Sequence, residues 1–438
     1  MEFKEKLLAS HLAFEERIDF SDPVHQIRLE SLKTFEEKGF PSRRDEAWKY
    51  TSLNAMLRQN YALFPKAETT IQLKKVKKYF LFEIDTYKVV FIDGVYSPFL
   101  SDTTHDGLDV CLMSAALSKA KYRNLIETYF NKITDKEDSL TALNTSYTQE
   151  GAYIHIPKSL VAEKPIEIIH FSTGKEKALW LQPRNLIVVD QNAQVQILER
   201  HQSLKEHDVV SNSVTEIYSH QDALVDYYKI QNDLSTASLI DNTYISQEKN
   251  SNVRVHTFSL GGKLIRNNLN FYLRGKYCNS TLKGVTLLED HQHVDHFTLV
   301  DHISSNCESH QDYKGVFSER SKGVFNGKIH VDQSAQKTNA FQQNNNILLD
   351  DKATVNTKPQ LEIFADDVKC SHGCTVGQLD EEALFYLMSR GIPKKEAKAL
   401  MTYAFANNVL ESVELPILKK RINKLIAQKL GVNLGFDL

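Results

Sequence analysis

The sequence predicts a mainly β protein, with a right-handed parallel β-helix (β-solenoid) core flanked by an N-terminal α/β domain and a small C-terminal helical domain. Three observations carry that prediction. From about Gly151 the chain breaks into short runs rich in Val, Ile, Thr, Tyr and Phe, separated by Asn, Asp, Ser and Gly, the pattern of strands and turns. A small or polar residue followed by alternating side chains recurs at Ala193, Ala223, Asn252, Ser280, Cys307 and Ala335, in steps of 30, 29, 28, 27 and 28 residues. A fixed period of that size marks units that each leave an edge only the next can pair. Weaker turn signals near the midpoints, at Ser235-Thr236, Gly261-Gly262, Asp290-His291 and Arg320-Ser321, imply two strands per repeat and a flattened coil. Third, both flanks switch to helical periodicity, giving domains at residues 1–150, 151–378 and 379–438. A β-sandwich, with strands at roughly 8–12-residue spacing, is the competing all-β reading.

Taken in order, Asp22 suits an N-cap, Pro23 the first helical turn and Gly39 the position just past the end, with Val24, Ile27 and Phe35 as a partial apolar stripe. The polar segment Pro41 to Thr51 carries one of only two tryptophans and reads as a docking loop anchored by Trp48. Tyr79 to Leu100 reads as β-rich, with Val89-Val90-Phe91-Ile92 running into the turn signal Asp93-Gly94. Leu112 to Lys132 reads as helical. Beyond Gly377, Asp380, Glu381 and Glu382 place negative charge at a helix start, while Gly391 and Pro393 end one helix and open the next. Ala397, Leu400, Met401, Ala404, Phe405 and Asn408 predict that second helix's buried stripe. Pro416 opens a third, with Leu418, Ile422, Leu425 and Ile426 on one side. The helical domain is expected to cap a solenoid end and present a surface to a partner.

Composition narrows the function. Net charge is -3 with no long block of like charge, so the electrostatic footprint of a nucleic-acid binder is missing. The start lacks an apolar run suited to a signal peptide, and no uncharged run approaches the roughly 20 residues of a spanning helix, so a cytoplasmic protein away from membranes is expected. Cysteines 111, 278, 307, 370 and 374 are odd in number and scattered, unlike a disulfide framework.

Two of those cysteines matter most. Asp366-Asp367-Val368-Lys369-Cys370-Ser371-His372-Gly373-Cys374 places two thiols and an imidazole within five residues at a domain junction. They suit one soft metal or cluster, with glycine at positive φ turning the side chains toward a common point. Equally, free cysteines are often small buried hydrophobes. His291, His293 and His296, with His302, Cys307 and His310, supply enough ligands for a metal, although His296 faces away from His293 in a regular strand. The run Gln342-Gln343-Asn344-Asn345-Asn346 is explained by amides stacking between coils on a turn. There is no Gly-x-x-x-x-Gly-Lys-Ser/Thr loop and no Gly-x-Gly-x-x-Gly after a strand, so no nucleotide or flavin site is legible.

The segment Arg43 to Thr51, the run Gln182 to Val189, Val324-Phe325-Asn326-Gly327-Lys328, and Lys358-Pro359-Gln360-Leu361-Glu362-Ile363 through Arg390-Gly391-Ile392 together resemble the SufB/SufD family, the β-helix subunits of the SUF iron-sulfur assembly machinery. The resemblance spans nearly the whole chain, and Asp366 to Gly373 is similar to the SufD type. It implies a non-enzymatic subunit of an ATPase-driven complex, with no permanent cofactor. Such a subunit pairs with a SufB-like chain and binds a SufC-like ABC ATPase through its C-terminal helices, here through Leu400, Met401 and Phe405. A transient iron-sulfur cluster is built at the shared interface. By the same resemblance Cys370 and His372 match the motif, His372 being the better interface ligand, while Cys374 departs from it and receives no role. A homodimer in isolation stays open. Two rivals remain: a stand-alone metalloprotein using His291, His293 and His302, and a carbohydrate-active β-helix enzyme drawing on Asp290, Asp295, Asp301 and Asp312.

Overall fold

The computed structural model describes residues 2–16, 23–64, 71–103, 107–148 and 150–432. Two long sheets lie face to face, and successive strands alternate between them. Sheet one runs Tyr87–Ile92, Ile166–Ser172, Gln194–Ser203, Leu224–Gln231, Asn252–Ser259, Asn279–Leu288, Glu308–Phe317, Asn339–Leu348 and Lys369–Gly377, all parallel. Sheet two runs Ala152–Ile156, Arg184–Val189, Asp208–Ser219, Ala237–Gln247, Leu264–Leu273, His293–His302, Lys322–Val331 and Thr354–Ile363, likewise parallel. This is the β-solenoid the period predicts, with two strands per coil.

The coil length explains the turns. At one edge Ala193, Ala223, Ser251, Cys278, Cys307 and Thr338 stack, each carbonyl accepting from the backbone N–H that opens the next coil's strand. The true steps are therefore 30, 28, 27, 29 and 31. Asn252, Ser280 and Ala335, the sequence-based choices, lie one to three residues off this stack because both strand and turn lengths vary from coil to coil. The residue just before each stacked position is left-handed: Asn192, Asp222, Asn250, Tyr277, Asn306 and Lys337 have φ between 59° and 64°. Asn and Asp tolerate that region better than other residues with a Cβ, which is why they dominate these turns. Cys278 and Cys307 are thereby small buried turn residues. The predicted midpoint turns all fall between strands.

Apolar residues on the inward faces fill the lumen, among them Ile168, Ile197, Ile217, Val225, Val255, Leu282 and Phe325. The outer faces are covered differently. Helices Phe3–Glu15, His25–Lys38 and Ser139–Ser146 lie over sheet two, where Phe3, Phe14, Phe35 and Leu143 share a cluster with Trp180, Val210 and Ile240. Gly39 ends its helix as predicted, at φ 66° with its N–H on the Phe35 carbonyl; Asp22 lies outside the described residues. Phe3–Glu15 was not anticipated. The loop through Trp48 docks as expected, with the Arg266 guanidinium 4.6 Å over its indole and Thr51 bonded to Asp295. Asp93 and Gly94, both at positive φ, close a two-residue hairpin between Tyr87–Ile92 and Val95–Tyr96. Met113–Ser118 and Ala120–Tyr129 account for the predicted helical stretch.

The C-terminal helices Glu381–Ser389, Lys394–Glu411 and Pro416–Lys429 correct two expectations. They do not cap the solenoid end. The second and third lie along the outer face of sheet one, where Val409, Leu410, Leu418, Ile422 and Ile426 pack on Leu198, Tyr228, Phe258, Val285 and Val316. At about 1.5–3 kcal/mol for each fully buried aliphatic side chain, that face is a strong adhesive. Lys429 Nζ reaches the Leu260 carbonyl at 2.7 Å and Glu289 at 3.2 Å. The buried stripe of the second helix is also rotated from the one predicted: Ala397 is buried as expected, but its companions are Ala399, Thr402, Ala406, Val409 and Leu410, whereas Leu400, Met401 and Phe405 are half-buried and Ala404 and Asn408 exposed. Two apolar arcs run along this helix, and the contact with Tyr228 and Val285 selects the narrower one.

Candidate functional site

With the helices on its flank, the final coil is left uncovered. Lys369–Gly377 pairs only with Asn339–Leu348, and Thr354–Ile363 only with Lys322–Val331, so one long edge of each is unpaired among the described residues. Nearly every residue of Lys369–Gly377 is exposed.

This strand carries the junction motif, and its geometry differs from expectation. Gly373 does not have positive φ. The segment is a regular strand in which Cys370, His372 and Cys374 stand opposite Ala340, Gln342 and Asn344. Spacing of two already puts all three side chains on one face, so no backbone turn is needed. That face is the inward one: Ala340, Gln342 and Asn344 are buried, and Cys370 packs against Ile329, Val331 and Ala335. Same-face neighbours in a strand sit about 6.5–7 Å apart. The three ligand atoms are accordingly not within 4.8 Å of one another. They form an open row along the mouth of the lumen, suited to ligands shared with another surface. Burial pushes the Cys370 thiol up, favouring its protonated form. Cys374 is exposed.

The amide run supports this mouth from one coil below. It lies in a strand rather than a turn, with Gln342, Asn344 and Asn346 buried. The predicted bonds between coils are present: Gln342 Nε2 donates to Gln311 at 3.4 Å, Asn346 Nδ2 to the Thr375 carbonyl at 3.3 Å, and Thr375 Oγ1 to Asn345 at 2.9 Å. Gly327 faces Gln342 across the lumen so closely that a Cβ there would stand 2.2 Å from its amide.

The histidine-rich stretch does not converge. His291 is exposed in a turn; His293 points outward and bonds Thr51, whereas His296 and His302 point inward and bond Thr286 and Ser309. His310 is on the other sheet, stacked on Phe341. The acidic residues are equally dispersed. Asp295 is buried with Arg266 and Asp301 pairs with His330, both on sheet two, while Asp312 lies on sheet one and Asp290 in a turn. The docking candidates Leu400, Met401 and Phe405 are half-buried, Phe405 packing toward sheet one with Lys314 Nζ 4.8 Å over its ring, while helix Glu381–Ser389 presents Phe385, 72% exposed, and Tyr386, which sequence reasoning missed.

Fold and site together define a class: a β-solenoid closed at its start and open at its end, with thiol and imidazole side chains lining the mouth. The chain belongs to the SufBD family of the SUF iron-sulfur cluster assembly system. The SufBD core domain model matches residues 170–405 and the SufBD N-terminal region residues 7–168. The chain is similar to an iron-sulfur cluster assembly SufBD family protein of Synechocystis, 31% identical over 88% of this chain and 87% of the relative. It is also similar to the iron-sulfur cluster assembly proteins SufD of Escherichia coli, 29% identical over 96% of each chain, and of Bacillus subtilis, 25% identical over 93% and 94%.

Proposed function

We propose that this chain is a SufD-type, non-catalytic cytoplasmic subunit that helps build iron-sulfur clusters at an interface with a SufB-like partner. The observation carrying this reading is the unpaired final coil with Cys370 and His372 on its inward face. Unpaired strand edges are templates for another chain, and natural proteins rarely leave long ones uncovered without a partner. A thiol and an imidazole at such an edge are half of a ligand set. A site completed only on pairing holds a cluster loosely enough to release it. The second part of the proposal assigns the helical region around Leu400, Met401 and Phe405, with exposed Phe385 and Tyr386, to a SufC-like ATPase. Among the described residues, no helix is long and apolar enough to cross a membrane.

The test is co-expression with SufB-like and SufC-like chains. His372→Ala should leave the complex assembled but abolish cluster formation, read by visible absorption after anaerobic iron and sulfide loading; a normal cluster yield in that variant would refute the ligand role. Tyr386→Glu should weaken ATPase binding, and unchanged affinity would place docking elsewhere.

A further inference from the structure

Far from the open mouth, the solenoid lumen changes character. Inward positions along Gln194–Ser203 read Val195, Ile197, Glu199, His201, so two apolar residues give way to two titratable ones inside the core. On the adjacent strand Ile166, Ile168 and His170 do the same, and the register sets His170 beside His201 and Ile168 beside Glu199. The two imidazoles stack, with ring centres 4.5 Å apart and planes 13° from parallel.

Burying an imidazole pair and a carboxylate in an apolar lumen is costly unless they are partnered. Their partners are incomplete. All three residues are more than nine-tenths buried. His170 Nε2 and both ring nitrogens of His201 lack a hydrogen-bond partner. Both Nε2 atoms instead point at one oxygen, Glu199 Oε1, at 3.7 and 3.5 Å, beyond hydrogen-bond length. Two nitrogens and an oxygen bound to one tetrahedral ion at about 2.0–2.2 Å stand roughly 3.3–3.5 Å apart. Among the described residues, this is the group of three or more His, Cys, Asp and Glu side chains whose ligand atoms fall within 4.8 Å of one another.

An outer shell is also present. Tyr227 donates to Glu199 Oε2, and Asn185 Nδ2 donates to Oε1 at 3.2 Å, fixing the carboxylate in the manner of groups that orient metal ligands. A cavity beyond His170, bounded by Phe91, Glu150 and Trp180, leaves space on the approach to the site.

We propose that His170 Nε2, His201 Nε2 and Glu199 Oε1 bind a divalent first-row transition ion, zinc or ferrous iron, inside the sealed half of the solenoid. Two imidazoles and a carboxylate suit either ion and leave a fourth position for water. The site is separate from Cys370 and His372 in place and contains no thiol. It clamps two neighbouring coils.

The test uses the full chain, stripped with chelator and titrated anaerobically with Co(II) as a spectroscopic probe, then with Zn(II) and Fe(II) in competition. Saturable binding near one ion per chain is expected, with the d–d bands of a four-coordinate site bearing no sulfur. Tyr227→Phe should weaken it by about 10–100-fold and His201→Gln by more, whereas Cys370→Ser and His372→Ala leave it unchanged. Absence of saturable binding by the natural chain, or affinity undiminished in His201→Gln, would overturn the proposal. Should His201→Gln not fold, X-ray absorption on the Co(II)-loaded natural chain decides, since sulfur ligation contradicts the assignment. Relative affinity and metal content on purification separate the zinc and iron cases.

Discussion

The two ends of the solenoid are built from the same coil and finished in opposite ways. At its start the sheets terminate in strands of two and four residues, Val95–Tyr96 and Asp109–Leu112, both antiparallel to their neighbours. At its finish they terminate in strands of ten and nine residues, Thr354–Ile363 and Lys369–Gly377, whose outer edges no strand pairs among the described residues. Short antiparallel edges are a known protection against unwanted pairing, and long bare ones invite it. Protected sheet edges thus lie at one end and the Cys370 and His372 side chains at the other, so substitutions at the two ends should separate.

The steepest contrast is with acid. His256, His296 and His302 are buried, and burial first of all lowers them to about 3, about 4 and about 4 from an ordinary 6.5. Their folded values lie below their unfolded ones, so the unfolded chain takes up protons first. Their contribution is intact above pH 6.5 and is lost as pH falls toward 4. By linkage each loses about 2 kcal/mol at pH 5. Urea midpoints measured from pH 7 to pH 5 should fall steeply, and His302→Gln should flatten the slope. Next, Glu216→Gln removes the carboxylate facing fully buried Arg184 near the closed end, and should cost about 3–5 kcal/mol in denaturant unfolding. Asp380 caps Glu381–Ser389 through the Glu382 and Ala383 N–H groups, so Asp380→Ala should cost about 1 kcal/mol, in local hydrogen exchange of that helix before global stability. Smallest is Cys374→Ser on the open strand, expected within about 0.5 kcal/mol of the natural chain. A cost there as large as at Glu216 would erase the distinction between the ends.

How far the sequence reached follows the same divide. Period and turn chemistry revealed the solenoid, because each coil must return the chain through a left-handed position that Asn and Asp favour. Exact register was hidden, since coils of 27 to 31 residues lose or gain residues in both strands and turns. The stripe Val409, Leu410, Leu418, Ile422 and Ile426 is amphipathic in any setting; periodicity says that it is covered, not whether by the end of a solenoid or its flank. Phe3, Leu7, His11 and Phe14 were readable as a helical face and were missed because the segment was weighed only as a targeting signal. Cys370 and His372 stood out by type, but their alignment on a regular strand depended on pairing with Asn339–Leu348. His170, Glu199 and His201 are 29, 31 and 2 residues apart and meet only through coil register, so sequence spacing alone gave no reason to group them.

One open end and one blunted end also give the molecule a valence. A solenoid bare at both ends would add copies indefinitely and grow into a fibre. With a single reactive terminus, joining open end to open end leaves two blunted termini facing outward, and growth stops at two chains. Under the proposed pairing, stoichiometry would be set by the two-residue strand Val95–Tyr96 and the four-residue strand Asp109–Leu112, at the opposite end of the solenoid.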